Sequence, residues 1–133
     1  FRYSNIQLDK PRLTSGESVR VSAEVSNTGS VAGDEVVELY VKDLEASCAV
    51  PHHELRGFQR LHLAPGKKER VEFTLIARDL SLIDERGARV LEPGAFRVFI
   101  GGSQPDARSL ELTGQAPVSA DLEVVGERRE LPY

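Results

Sequence analysis

Short runs of alternating apolar and polar residues constrain the fold of this chain more than any other feature. The clearest run is SVRVSAEVS, in which Val19, Val21, Ala23 and Val25 alternate with polar residues. Successive side chains of a β-strand point to opposite faces, so this pattern is typical of a strand with one buried and one hydrated face. Similar runs recur in DEVVELYVKD, ERVEFTL and AFRVFIGG, and no stretch has a helical period. The pattern predicts an all-β, antiparallel β-sandwich of about seven strands.

Turn residues separate these runs and locate the strand ends. Asn27-Thr28-Gly29-Ser30 follows the first clear strand, and Ala64-Pro65-Gly66-Lys67 predicts a tight turn between two further strands. A short turn is predicted at residues 77–80, and Glu85-Arg86-Gly87 is predicted as the tip of a hairpin. Glu92-Pro93-Gly94 then supplies the next turn, because Pro presets φ and Gly accepts positive φ.

Composition excludes several classes of protein. The 133 residues are 40% hydrophobic and 29% charged, as expected for one folded domain rather than a disordered chain. The net charge is −4 and the basic residues are scattered, so neither nucleic acid nor an anionic membrane surface is an expected partner. The single cysteine, Cys48, excludes an internal disulfide and a multi-cysteine metal site.

Seven motifs in a fixed order resemble a known family. They are N-T-G, A-G-D-E-V-V-x-L-Y-V, L-x-G-F-x-R, L-x-P-G, V-x-F-T-L, E-P-G-x-F and G-G-S. Together they resemble the C-terminal fibronectin type III-like domain of family 3 glycoside hydrolases. The resemblance predicts an immunoglobulin/fibronectin type III-like sandwich over residues 1–113, opening at FRYSN where such a domain begins, and a tail over residues 114–133. In this tail Ala120, Leu122 and Val124 alternate, as in an extra edge strand or a docking segment.

The resemblance implies that the chain is one domain of a larger enzyme, here called the parent, and this implies its function. Catalysis would belong to upstream domains, a barrel with an Asp nucleophile and an α/β sandwich with the acid/base, neither of which lies in these residues. The chain is then a non-catalytic accessory domain that packs on and stabilises them, in a soluble, periplasmic or secreted enzyme that removes terminal β-linked glucose or xylose. No cofactor is implied. The alternatives are an autonomous carbohydrate-binding module and a protein-interaction module.

The longest connection, from Leu44 to Glu54, is the predicted contact with the rim of the parent's active site. Long loops on a rigid scaffold are where contacts with partners concentrate. An oligosaccharide at the rim would meet the end of this loop, whose residues are Ala49, Val50, Pro51, His52, His53 and Glu54.

Other candidate sites favour structural interpretations. His52, His53 and Glu54 would lack the further ligands of a metal site, and neighbouring histidines on an extended chain point apart. The acid pairs Asp84/Glu85 and Asp43/Glu45 lie at predicted turns or strand ends, which favours turn acids over the paired carboxylates of a glycosidase. Cys48 or Ser47 beside a histidine, and Gly101-Gly102-Ser103 as a phosphate loop, lack the supporting motifs of such sites.

One apolar segment allows a surface platform as well as a buried strand. It contains Leu55, Gly57, Phe58, Leu61 and Leu63. A platform for a partner is one interpretation, but we expect Phe58 to pack inward, because Phe is usually buried. Tyr40 is the one mid-strand tyrosine and is also expected to pack.

Overall fold

The computed structural model describes residues 1–14, 17–44, 54–102, 118–126 and 129–131. Within them, seven long strands form the fold, and four shorter strands have two or three residues each. The long strands are β1 (Arg2–Leu8), β3 (Ser18–Ser26), β4 (Gly33–Asp43), β5 (Glu54–Leu63), β6 (Lys68–Ile76), β9 (Gly94–Gly101) and β10 (Val118–Val124). The short ones are β2 (Arg12–Leu13), β7 (Leu82–Ile83), β8 (Arg89–Leu91) and β11 (Arg129–Glu130).

Two sheets make the sandwich. A three-stranded sheet has the order β1-β3-β6, and a five-stranded sheet has the order β2-β10-β9-β4-β5. The pairings between the long strands are antiparallel, while the two-residue β2 runs parallel to β10. A small third sheet, β11-β8-β7, completes the described part. The predicted fold class is confirmed, whereas the described residues form eleven strands where about seven were predicted, because four of the strands are very short.

The core lies between the inner faces of the two main sheets. Val19, Val21, Ala23 and Val25 of β3 are each fully buried, as the alternation predicts. Three further strands contribute in the same way, with the inward sets Val37/Leu39/Val41, Val71/Phe73/Leu75 and Phe96/Val98/Ile100. Each such side chain stabilises the fold by about 1.5–3 kcal/mol relative to exposure, so the alternating strands are held by burial rather than by local propensity.

Asn27 stabilises the connection from β3, in the three-stranded sheet, to β4, in the five-stranded sheet. It is buried, and its Nδ2 donates to the carbonyls of Val31 and Leu63, each at 2.9 Å. Its Oδ1 accepts from the Gly29 amide at 2.9 Å. The side chain therefore satisfies backbone groups of the predicted turn and ties that turn to the end of β5.

The turn at residues 64–67 connects strands of different sheets. The Lys67 amide donates to the Ala64 carbonyl at 3.1 Å, which closes the predicted tight turn. β5 pairs with β4, however, and β6 pairs with β3. The two strands are adjacent in sequence, but they lie in different sheets and do not pair with each other.

The hairpin around residues 85–87 forms as predicted, while the C-terminal segment enters the main sheet. β7 and β8 pair antiparallel, and residues 77–80 form a 3-10 turn. Within the predicted tail, β10 pairs with β9 over seven positions and with β2 over two, and it buries Leu122 and Val124. The boundary predicted between residues 113 and 114 lies outside the described residues. No helix in the described ranges is long and apolar enough to cross a membrane.

Candidate functional site

A β-bulge in β5 decides which side chains reach the outside of the five-stranded sheet. Gly57 pairs with Leu39 and Leu55 pairs with Tyr40, so Arg56 is the extra residue of the bulge. The two bulged residues share the inner side, because one partner residue opposes both. Leu55 and Phe58 consequently both point to the outer face.

This outer face carries several apolar side chains, with Glu38 lying among them opposite Phe58. Tyr40 of β4 is paired with Leu55 on one side and with Phe99 of β9 on the other, and side chains in such pairs are close neighbours. Phe58 is 69% exposed, Leu55 49% and Val36 37%. We call these five residues, Val36, Tyr40, Leu55, Phe58 and Phe99, the outer apolar face.

Phe58 corrects the expectation that it packs inward. The ring of Phe73 from the opposite sheet occupies the interior beside β5, and a Cβ added to Gly57 would come within 3.0 Å of that ring. Leu61 and Leu63 also belong to the inward side of β5, with Leu63 buried. The platform interpretation therefore holds for Leu55 and Phe58, whereas Gly57, Leu61 and Leu63 serve the core.

Charged and polar groups border the outer apolar face. The Tyr40 hydroxyl donates to Glu38 Oε2 at 2.5 Å, within the face itself. At its borders Arg97 is ion-paired with Asp121 at 2.8 Å, and His62 Nδ1 lies 2.5 Å from Asp34 Oδ1. The Arg97 guanidinium lowers the pKa of Asp121, first by donating a hydrogen bond to the carboxylate and then through its positive charge. An apolar centre with a rim of both charge signs is the usual anatomy of a protein interface.

The outer face of the three-stranded sheet differs in character. Its exposed positions hold a polar lattice in which Arg70 Nη2 donates to Gln7 and to Ser22, each at 2.8 Å. Arg20 and Glu72 are ion-paired at 4.0 Å. Only one side of the sandwich therefore presents a large apolar surface within the described residues.

A second feature is a cleft at the start of β5. It has about 320 Å³ including space open to solvent, and Asp43, Glu54, Arg56 and Ser81 are among its lining residues. Arg56 Nε donates to the Asp79 carbonyl at 2.7 Å, and the guanidinium also contacts the Glu54 carboxylate. Burial lowers the pKa of Arg56, and the nearby Asp79 opposes that effect. Because Arg56 is bound to both Asp79 and Glu54, we interpret the cleft as a structural contact that holds the first residues of β5 in place.

Among the carboxylates considered as candidate catalytic groups from the sequence, Asp84 has a structural role. Asp84 Oδ1 accepts from the amides of Arg86 and Ala88, each at 2.9 Å, so it closes the β7–β8 turn as expected. Glu85 is exposed at the same turn. Glu45, Ser47, Cys48, the predicted rim residues 49–53 and Ser103 lie outside the described residues. Of the predicted rim residues, Glu54 is described, in its contact with Arg56.

Sequence reasoning missed a polar contact in the sandwich interior. The Tyr3 hydroxyl donates to Glu35 Oε2 at 2.7 Å, joining β1 to β4. Gly102 leaves room for this pair, because a Cβ there would lie 2.8 Å from Glu35 Oε2 and 3.2 Å from the Tyr3 hydroxyl. Burial, followed by the hydrogen bond and charge of Glu35, raises the pKa of Tyr3 well above its usual range. In the described part of the chain, no cluster of three or more His, Cys, Asp or Glu side chains could hold a metal ion.

The two-sheet, mostly antiparallel topology defines a β-sandwich module of the immunoglobulin and fibronectin kind. The chain belongs to the fibronectin type III-like domain family, whose model matches residues 35–104. It is 37% identical over 115 residues to a β-xylosidase of Formosa agariphila, a match that covers 85% of this chain and 16% of that enzyme. It is 38% identical to the thermostable β-glucosidase B of Acetivibrio thermocellus, over 80% of this chain and 14% of that one.

Solved structures give the same result. A β-glucosidase from Erythrobacter marinus is similar with a TM-score of 0.80 and 32% identity, over 92% of this chain and 15% of that one. A β-glucosidase from Listeria innocua gives a TM-score of 0.76 at 29% identity, over 95% and 16%. The chain thus spans about a sixth of the length of the relatives that it matches. The resemblance to the fibronectin type III-like domain of such glycosidases is confirmed.

Proposed function

We propose that this chain is a non-catalytic accessory domain of a family 3 glycoside hydrolase, where it packs on the catalytic domains and stabilises them. The observation that carries the proposal is the pattern of coverage. Matches to β-xylosidases and β-glucosidases extend over most of this chain, yet over only about a sixth of each enzyme. Such coverage is that of one module within a larger chain.

The chemistry of the described residues supports an accessory role. Glycosidases of the usual kind need two carboxyl groups held about 5–9.5 Å apart across a sugar. Asp84 is committed to backbone amides of its turn, and Asp121 and Glu54 are committed to arginines. Catalysis by the parent would therefore rest on its other domains, acting on terminal β-linked glucose or xylose, as the names of the relatives suggest.

The test is to remove residues 1–133 from the parent enzyme and to restore them in trans. We expect the truncated parent to unfold at a lower temperature and to lose activity faster on aryl β-glucosides and β-xylosides. The turnover number of its surviving folded fraction should change little, because this domain supplies no reacting group. Hydrolysis by the 133-residue chain alone, or a truncated parent as stable as the intact one, would overturn the proposal.

We also propose that the connection ending at Glu54 contributes to the rim of the parent's active site, as its length suggests. Glu54 and Arg56 fix the described end of this connection beside the cleft. Replacing residues 49–53 in the parent with a Gly/Ser segment should raise KM with kcat nearly unchanged, because a rim contact acts on substrate binding. An unchanged KM for an oligosaccharide substrate would exclude this role.

A further inference from the structure

We propose that the outer apolar face is the surface through which this domain contacts the rest of its own parent chain. This inference rests on the proposed function, and it adds which side of the sandwich is covered. The partner is a protein surface with an apolar centre and charges of both signs at its border.

Exposure is the first reason. Phe58 is a large ring that is 69% exposed in the middle of a strand, and Leu55 beside it is 49% exposed. Burying side chains of this size stabilises a protein, so leaving them in water is unfavourable. Large apolar patches bordered by polar groups mark interaction sites.

Position is the second reason. The bulge at Arg56 brings Leu55, which is paired with Tyr40, and Phe58, which is paired with Glu38, to one face. The other exposed apolar side chains, Val31, Leu44, Ile76 and Ile83, lie at turns or at strand ends. The opposite sheet instead exposes the Arg70 and Arg20 lattice, which suits contact with water.

The identity of the occupant follows from coverage and chemistry. Structural relatives hold this fold within chains about six times as long, which supplies a neighbouring surface within the same molecule. Glu38, the cross-strand partner of Phe58, accepts the hydrogen bond of the Tyr40 hydroxyl, so the polar groups beside the ring bind each other. This favours a protein surface over a sugar, because a bound sugar requires several hydrogen-bonding groups beside the ring. The rim contains Arg97 with Asp121 and His62 with Asp34, so neither charge sign dominates it.

Hydroxyl-radical footprinting compares the isolated chain with the intact parent. In the isolated chain, Leu55 and Ile76 should be modified at similar rates, because they are 49% and 48% exposed. In the parent we expect modification of Phe58 and Leu55 to fall at least tenfold, while that of Ile76, on the other sheet, changes less than twofold. Unchanged modification of Phe58 and Leu55, with protection elsewhere in the chain, would overturn the face but leave the proposed function intact. No protection anywhere in the chain would overturn both.

Paired substitutions give a second measurement. Leu55→Ser with Phe58→Ser should weaken binding of the isolated chain to the catalytic portion at least a hundredfold, whereas the matched control Ile76→Ser should leave it unchanged. Both exposed side chains can change without loss of the fold, which circular dichroism of the isolated chain would verify. Equal binding by the double variant would overturn the assignment. Two other results would also overturn the assignment. They are binding of the wild-type chain to insoluble glucan and its dimerisation, in each case with loss of that property in the double variant. Either result would assign the face to another partner if Phe58 also remained fully modified in the parent.

Discussion

At the residue scale, three separated sequence motifs meet at one contact. Tyr3 lies in the opening FRYSN, Glu35 in AGDEVV and Gly102 in FIGGS. The Tyr3 hydroxyl and the Glu35 carboxylate bond across the two sheets, and a side chain at residue 102 would collide with both. Taken alone, each motif indicates only a strand end or a turn. Together they form a polar contact that links the two sheets.

Replacing Tyr3 with Phe should show what this link contributes. The variant removes a hydrogen bond to a partly buried carboxylate, and we expect the free energy of unfolding to fall by about 1–3 kcal/mol. Tyr40→Phe is the matched control, because it deletes another tyrosine–glutamate bond on the outer face, where water can replace it. Urea titration of both variants should give a loss below about 1 kcal/mol for Tyr40→Phe. Equal losses would refute a special role for Tyr3.

The same tyrosine predicts a response to alkaline pH. Its folded-state pKa is raised above the ordinary value of about 10, first by burial and then by Glu35. The protonated ring is therefore favoured by folding, so its contribution is complete below pH about 10 and declines as pH rises beyond it. Unfolding free energies measured from pH 8 to 11 should fall more steeply for the wild type than for Tyr3→Phe. Parallel profiles would contradict this assignment.

Gly57 offers a second prediction at this scale. An alanine Cβ would sit 3.0 and 3.2 Å from two carbons of the Phe73 ring, so Gly57→Ala should cost about 1–3 kcal/mol through overpacking. Gly33→Ala is the control, since the nearest atom to its Cβ would be in the Phe1 ring at 3.7 Å, an ordinary contact. Thermal unfolding should show a lower midpoint for Gly57→Ala alone. If the two variants unfold alike, the close contact at Gly57 does not limit packing.

At the element scale, the alternation of apolar residues determined the strands but not their partners. The inward faces of β3, β4, β6 and β9 follow directly from their sequences, because burial on one side requires a period of two. The prediction for Phe58 was wrong because it relied on residue type. Leu61 and Leu63 already placed odd-numbered positions of β5 inside, and by that parity Phe58 shares the outer side with Arg60 and His62. Which sheet receives β6 or β10 depends on long-range packing that no local pattern encodes.

The contribution of β10 can be tested by truncation. A chain ending at residue 113 would lose β10, and with it the pairing to β9 and the burial of Leu122 and Val124. We expect this chain to fail to unfold cooperatively and to self-associate through the uncovered β9. Leu122→Ala keeps the strand and should lose about 2–5 kcal/mol while remaining folded. Sedimentation and urea titration would distinguish these outcomes, and a truncated chain with wild-type stability would show that the sandwich is complete without β10.

At the scale of the whole molecule, the outer faces of the two sheets differ in polarity, which suits one sheet to water and the other to a protein partner. The three-stranded sheet presents charged and polar side chains in mutual contact, whereas the five-stranded sheet presents Phe58, Leu55 and Val36. The fold class and the parent family could be predicted from sequence, since turn motifs and alternation persist in order along the chain. The face could not be fully predicted, because it depends on the bulge at Arg56 and on the ring of Phe73 beneath Gly57.

The central claim is that this domain acts by binding the catalytic portion of its parent. Isothermal titration of the 133-residue chain into the separately expressed catalytic portion tests it most directly, with glycosidase activity followed at each point. The account predicts saturable one-to-one binding that slows thermal inactivation of the catalytic portion. A folded catalytic portion that shows neither binding heat nor any gain in stability or activity would contradict it.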